Sequence, residues 1–334
     1  MNKSILITGG AGYIGSHTAF YFYQKGYEVI ILDSFISSPP FNPDWAIVYK
    51  ADYADIAILD KIFVKHSIGT VMHFASSTQV VESMTNPGLY YENNVAKTIC
   101  FLNCMLKNGV NNLIFSSSCA VYGIPEFLPL MENHTKNPIS IYGKTKLIIE
   151  NILEDYSKCY NFNYIALRYF NAAGALPEYS LGENHMPETH LIPLVFCAAK
   201  ENKPFNIFGT NYNTKDGTCV RDYLHVVDIA DAHWRAYIHL QHTQTSDVFN
   251  LGTGAGFTVK EIIKSVEKTY GCKIKTVEKP NRPGDSSVLI ADYSKAKNIL
   301  GWSPKNSELN FIINSVFVYQ NKCITKFSRN QGVL

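Results

Sequence analysis

The sequence predicts an α/β fold: a doubly wound parallel sheet with a smaller α/β lobe. Three observations point there. Short β-branched runs alternate with longer helix-like segments through the first half of the chain. A glycine cluster follows the first of those runs and opens a helix. From about Asn171 the alternation gives way to short pieces broken by prolines and glycines.

The strands read as Ser4–Thr8, Glu28–Leu32, Ala46–Lys50, Thr70–Phe74, Asn112–Ser116 and Tyr164–Leu167, short runs of the β-branched kind that strands favour. The intervening stretches are long enough for crossover helices, which implies a parallel sheet with right-handed connections. A long helix is expected after Tyr142, between the fifth and sixth strands. Pro177, Pro187, Pro193 and Pro204 then mark a loop-rich lobe. Val227–Leu240 returns to helical spacing and Asp247–Leu251 reads as another strand. The expected organisation is therefore a first domain over 1–175, rejoined by about 224–252, and a discontinuous second lobe over 176–334. Thr258–Tyr270 reads as a helix, with Glu261 three residues after Thr258 as a capping box.

Composition narrows the classes of function. Of 334 residues, 46% are hydrophobic and 17% charged, the balance of a folded enzyme and not of a disordered chain. A net charge of +2 gives no electrostatic reason to invoke nucleic acid. No apolar run is long enough to span a membrane, and the stretch before Gly9 is too short for a signal peptide. Eight cysteines, at 100, 104, 119, 159, 197, 219, 272 and 323, include no Cys-x-x-Cys pair. They read as reduced thiols of a cytoplasmic protein. His17, His73, His225 and His233 show no metal-ligand spacing, so no metal is expected.

Gly9-Gly-Ala-Gly12-Tyr-Ile-Gly15 fits G-x-x-G-x-x-G on Gly9, Gly12 and Gly15, and G-x-G-x-x-G when counted from Gly10. Glycines serve where a turn is tight and backbone must approach a pyrophosphate, whose charge a helix N-terminus favours. Asp33, about 20 residues on at the end of the second strand, completes the dinucleotide fingerprint of a Rossmann-type sheet. Its carboxylate accepts from a free ribose 2′-hydroxyl and repels a 2′-phosphate. No arginine lies between Asp33 and Tyr53, so NAD is favoured over NADP. Asp52 and Tyr53, after the third strand, are placed to meet the adenine or simply to form a strand-end turn.

Tyr142 and Lys146, in Tyr-Gly-Lys-Thr-Lys, stand at i and i+4 on one helical face. An ammonium about 4 Å from the phenol, at an effective dielectric near 20, is worth roughly 4 kcal/mol. That would bring a phenol whose ordinary pKa is near ~10 within reach of neutrality, as a base for a substrate hydroxyl. Ser116-Ser-Ser118 closes the fifth strand, at the sheet edge where ligands bind. A hydroxyl there can reach a substrate beside Tyr142.

The chain thereby resembles the extended short-chain dehydrogenase/reductase family, and within it the UDP-hexose 4-epimerase group. The likeness runs over nearly the whole length: Thr8–His17, His73-Phe-Ala75, Tyr90–Val95, Ser116–Gly123, Tyr142–Lys146, Leu167–Gly174, Asp216–Val226, Asn250–Gly254 and Arg282–Asp285. The resemblance implies interconversion of UDP-glucose and UDP-galactose through a transient 4-keto sugar, with NAD tightly bound. It makes Tyr142 the base, Lys146 the residue that lowers its pKa and holds the nicotinamide ribose, and Ser118 a partner of the sugar hydroxyl. It places Tyr13 and Ile14 over the pyrophosphate and Asp33 on the adenosine ribose. Phe74, Ala75, Asn94 and Phe170 complete the cofactor wall. Asn171, Leu191, Phe208, Arg221, Arg282 and Asp285 grip the UDP portion, although Arg221 could equally serve a structural ion pair. A homodimer through two helices, near Asn86–Asn108 and Tyr142–Cys159, is also implied.

Three positions depart from that pattern. Thr78 replaces a lysine near the cofactor, His190 replaces an asparagine at the substrate, and Leu289 stands where some members have tyrosine in the sugar pocket. The smaller Leu289 would admit an N-acetyl group, so action on UDP-N-acetylglucosamine is an alternative, and UDP-glucuronate is another. A 4,6-dehydratase would need an Asp-Glu pair where Cys119 and Ala120 stand. A non-catalytic NAD-sensing module would be expected to lack the tyrosine or the lysine.

Overall fold

The computed structural model describes residues 4–185, 187–282 and 285–330, with side chains as far as Lys322. Pro283 and Gly284 of the Arg282–Asp285 motif, and the Cys323 side chain, lie outside the described residues. Seven parallel strands form the central sheet: β1 Ser4–Thr8, β2 Glu28–Asp33, β3 Ile47–Lys50, β4 Ile68–His73, β5 Asn112–Ser118, β6 Asn163–Tyr169 and β7 Asp247–Leu251. Their order is β7-β6-β5-β4-β1-β2-β3, so the chain reverses direction between β1 and β4. That switch point is where open α/β sheets open a ligand crevice. The fold is the expected Rossmann-type α/β.

Alternation along the strands sorts the core into two faces. Ile5 and Ile7 face Phe22, Phe249 and Trp302; Leu6 faces Phe101, Phe115 and Leu153. Each such buried side chain contributes about 1.5–3 kcal/mol. A third core, around Phe196, Ile262, Val266 and Ile312, holds the second lobe together. A smaller cluster of Val121, Tyr122, Leu130, Phe170 and Ala291 lies beside the ends of β5 and β6.

Strand ends depart from the expectation by one or two residues. β5 continues through Ser118 because Ser117 and Ser118 still pair with Arg168 and Tyr169 of β6. β4 ends at His73, which leaves Phe74 in the following loop. The expected helix near Asn86–Asn108 is corrected more substantially. It divides into Pro87–Tyr90, a π-helical turn Tyr91–Ala96, and Lys97–Lys107. The Asn93 carbonyl accepts a bond from the Tyr53 hydroxyl, a partner far away in sequence. The capping box is formed: Thr258 Oγ1 accepts from Glu261 N–H (3.1 Å), and Glu261 accepts from Thr258 N–H (2.9 Å).

In the second lobe, Phe205–Phe208 pairs with Thr276–Lys279. Val220–Arg221 lies between Phe257–Thr258 and Val288–Leu289. The chain leaves β6 directly into Asn171–Ala173, which pairs with Tyr223–His225. This short ladder ties the C-terminal edge of the sheet to the lobe. Among the described residues no helix is long and apolar enough to cross a membrane.

Candidate active site

The helix Ile141–Cys159 begins at the C-terminal edge of the sheet, with Ser140 as its N-cap accepting from Gly143 N–H (3.0 Å). Tyr142 therefore lies in the first turn and Lys146 one turn on. The three serines of β5 have different partners. Ser116 bonds the Tyr169 hydroxyl, Ser117 donates to Glu150 (2.5 Å), and Ser118 Oγ accepts from Ala120 N–H (3.2 Å) while lying close enough to the Tyr142 phenol to lower its pKa. Ser118 is thus singled out as the hydroxyl beside the expected base.

The electrostatics differ from the simple pair expected. Lys146 is buried, its Nζ lies 5.7 Å from the Tyr142 ring centre, and it donates to the Ser116 carbonyl (2.8 Å). Burial pushes the Tyr142 phenol up to about 12, with Ser118 pulling it down. Burial pushes Lys146 down to about 7, with Glu150 acting against it. Desolvation disfavours both charged forms and here outweighs their mutual attraction, because the ammonium is turned toward a carbonyl.

At the glycine loop, Gly9 adopts φ +69°, and a Cβ there would lie 2.6 Å from Ala75 N. A Cβ at Gly15 would lie 2.2 Å from Gly9 O. Gly12 is the N-cap of the helix Tyr13–Gln24 and offers no side-chain cap, and no acidic residue occupies the first turn. Helix N–H groups in that setting suit an anion. Ile14 lies in that first turn. The Asp33 carboxylate accepts from Ala11 N–H (3.0 Å) and Phe35 N–H (2.8 Å), leaving acceptor sites for a ribose hydroxyl. The loop and acid fit a dinucleotide.

Other expected cofactor residues are tied into the frame. Tyr13 donates its hydroxyl to Gly174 O (2.6 Å), joining the loop to the end of Asn171–Ala173. Phe74 and Ala75 both donate backbone N–H to Thr8 O. The Asn94 amide bonds Ser77 and donates to Thr145 Oγ1 (3.1 Å), bracing the wall against the Tyr142 helix. Asp52 pairs with Lys97 (2.6 Å). Tyr53 packs its ring on His73. Phe170 shares its cluster with Cys119 and Leu289, which places Leu289 near the end of β5.

On the lobe side, Asn171, Leu191, Tyr223, Glu183 and His190 line one small cavity. Arg221 is ion-paired with Asp285, so the structural pairing left open from sequence is present, with a different acid from the adjacent Asp222. The Arg282 guanidinium stacks over Phe208 at 4.2 Å. These four residues thus form two contacts of one lobe.

The family model of the "NAD dependent epimerase/dehydratase family" matches residues 5–252. The UDP-glucose 4-epimerase of Rhizobium meliloti (strain 1021) is 42% identical over 332 residues, covering 99% of either chain. A crystal structure of the UDP-glucose 4-epimerase from Brucella ovis in complex with NAD superposes with a TM-score of 0.91 at 41% identity, covering 93% of this chain and 96% of that one. The UDP-Glc/GlcNAc 4-epimerase from Campylobacter jejuni superposes with a TM-score of 0.83 at 39% identity, covering 96% of this chain and 99% of that one.

The chain belongs to the NAD dependent epimerase/dehydratase family.

Within this epimerase/dehydratase frame, several supporting residues escaped the sequence reading. Arg168 makes a buried two-bond pair with Glu150 (2.8 and 2.5 Å) and also donates to the Tyr122 hydroxyl. Glu150 follows Lys146 by one turn, so helical spacing alone could have drawn attention to it. Asp222 is wholly buried and accepts from Thr253, Gly254 and Ala291 N–H. Its partners are so distant in sequence that no local signal marks it. His17, His73, His225 and His233 are all buried, and burial lowers their pKa values to about 4, 3, 4 and 4. They are neutral hydrogen-bonding residues of the interior.

Proposed function

We propose that this chain is a UDP-hexose 4-epimerase that interconverts UDP-glucose and UDP-galactose with tightly bound NAD. The observation that carries the reading is Tyr142 in the first turn of Ile141–Cys159, beside Ser118 at the sheet edge and one turn from buried Lys146. Gly9, Gly12, Gly15, Tyr13 and Ile14 would hold the pyrophosphate, Asp33 the adenosine ribose, and Asp52 and Tyr53 the adenine end. Phe74, Ala75, Asn94 and Phe170 would form the remaining wall. When bound, NAD supplies the acceptor and later the donor of the C4 hydride.

The residues of the chain then have distinct tasks. Tyr142 takes the proton of the C4 hydroxyl and later returns it, so proton and hydride leave and return without net redox change. Ser118 aligns that hydroxyl and stabilises the phenolate. Lys146 carries the positive charge that the phenolate needs. Inversion requires the 4-keto sugar to turn over, so binding energy is best placed on the part that does not react. Asn171, Leu191, Phe208, Arg221, Arg282 and Asp285 would supply it by gripping UDP, with guanidinium groups suited to a diphosphate. Residues 1–175 with 224–252 would form the NAD domain, and the rest of 176–334 the UDP-sugar lobe.

A second substrate is favoured by one observation. Leu289 lies with Phe170 and Cys119 near Ser118, and a leucine leaves more room than a tyrosine. UDP-N-acetylglucosamine is therefore proposed as an additional substrate, consistent with the C. jejuni relative being a UDP-Glc/GlcNAc enzyme. We further propose a cytoplasmic homodimer working in galactose metabolism. The exposed Leu89 and Tyr91, near the expected pairing helices, support the dimer. Product analysis with UDP-galactose and UDP-N-acetylgalactosamine side by side tests the assignment. Formation of UDP-glucose supports it; binding of NAD with no conversion of either sugar overturns it.

A further inference from the structure

Glu183-Asn-His-Met-Pro-Glu-Thr-His190 connects the buried Leu181 to the helix Leu191–Glu201, whose Ile192, Val195 and Phe196 belong to the lobe core. Two imidazoles and two carboxylates converge within this short stretch. One ligand atom from each of Glu183, His185, Glu188 and His190 lies within 4.8 Å of the others. We propose that these four side chains form a binding site for a divalent transition-metal ion of the zinc class.

Geometry and charge both support it. A tetrahedral ion with bonds of roughly 2.0–2.2 Å holds neighbouring ligand atoms about 3.4 Å apart. His185 Nδ1 lies 3.2 Å from Glu183 Oε1, and His190 Nδ1 lies 3.4 Å from Glu188 Oε1. The 2.6 Å contact between His190 Nδ1 and Glu183 is shorter than that spacing and has to open. Mixed imidazole and carboxylate donors suit zinc, cobalt or nickel better than calcium or magnesium. Two carboxylates and two neutral imidazoles balance a doubly charged ion.

His185 Nδ1 lies 3.2 Å from the Glu183 carboxylate without an aligned hydrogen bond. A metal bond would give that nitrogen the aligned partner its present contact lacks. The Glu183 carboxylate is almost fully buried, and the His185 and His190 imidazoles both face it. A divalent ion would supply the counter-charge that a buried carboxylate needs.

The stretch is also preorganised at both ends. Glu188 accepts from Thr189 N–H (2.7 Å) and His190 N–H (2.8 Å). Gly182 lies so close to the Tyr319 ring that a Cβ would come within 2.5 Å of it. Tyr13 sets its ring edge-on to His185, so an ion here would fasten the glycine-loop helix and the second lobe near one another. The proposal does not rest on the epimerase reading, although Glu183 and His190 share a cavity with Asn171 and Leu191 of the proposed UDP grip.

The test uses tag-free full-length chain, stripped with a chelator and titrated with Zn2+ by calorimetry and with Co2+ by visible absorption. The expected result is one ion per chain with micromolar or tighter affinity and the absorption of four-coordinate cobalt. His185→Ala should weaken binding by more than the roughly 10–100-fold cost of losing a supporting residue. His185→Gln serves as a second variant should the alanine form misfold. Absence of stoichiometric binding to the natural chain overturns the proposal. So does full-affinity binding by folded His185→Ala or His185→Gln, which would place the ion elsewhere.

Discussion

Tyr142 carries an acidity problem that burial makes worse, since its phenol stands at about 12 while its task requires proton release near neutrality. Ser118 pulls that value down, and a hydrogen bond to a charged group is worth about 1.5–3 kcal/mol. Ser118→Ala should therefore lower kcat roughly 10–100-fold and move the alkaline-rising limb of the pH–rate profile to higher pH. Stopped assays across pH, with NAD content checked by absorbance, would show it. A fall in kcat with no movement of that limb would assign Ser118 to substrate alignment alone. Leu289→Tyr belongs to the same scale. It should abolish turnover of UDP-N-acetylglucosamine while leaving UDP-galactose within a few-fold of the parent, measured by product chromatography.

At the level of elements, the Tyr142 helix is held to β6 by the Glu150–Arg168 pair, both partners buried. Removing one member strands a buried charge, at a cost of about 3–5 kcal/mol. Arg168→Met should show that loss in denaturant unfolding and should loosen Tyr122 as well. The loop before Leu191–Glu201 gives a pH signature. Burial lowers the His190 pKa, but Glu183 and Glu188 outweigh it and raise the value from 6.5 to about 10, so its stabilising contribution is fully present below pH 6.5 and lost as pH rises through about 10. Glu183, whose pKa is lowered, contributes above the ordinary carboxylate range and loses that contribution in acid. The difference in Tm between the parent and Glu183→Gln, measured with chelator present, should be largest near pH 6 and shrink toward pH 10.

These elements also show what a sequence can reveal. The glycine loop, Asp33 and the Tyr142–Lys146 spacing were legible because their geometry is local: a turn, a strand end and one helical turn. The capping box at Thr258 was legible for the same reason. The ends of β5 and β6 were not, because serines and an arginine continue the ladder without a hydrophobic pattern. The π-helical turn was hidden, since Tyr53 meets the Asn93 carbonyl across 40 positions of chain. Asp222 and Arg168 were equally hidden, each being defined by partners on other elements. The orientation of Lys146 was also beyond spacing, because i and i+4 set the face and not which acceptor the ammonium finds.

Over the whole molecule, a parallel sheet of seven strands presents one edge to a lobe that the chain enters at Asn171 and that Asp222 anchors. In the proposed reading one half binds a dinucleotide and the other a nucleotide sugar, with Ser118 at the end of β5 and Tyr142 at the start of the next helix. The central claim is that the phenol of Tyr142 moves the proton that accompanies hydride transfer at C4. The most direct measurement is the rate of UDP-galactose conversion by Tyr142→Phe, with fold and NAD content confirmed by circular dichroism and absorbance. The account predicts a loss in kcat of about 10²–10⁴-fold with the dinucleotide still bound. Conversion at the parent rate by a folded, NAD-containing Tyr142→Phe enzyme would contradict it.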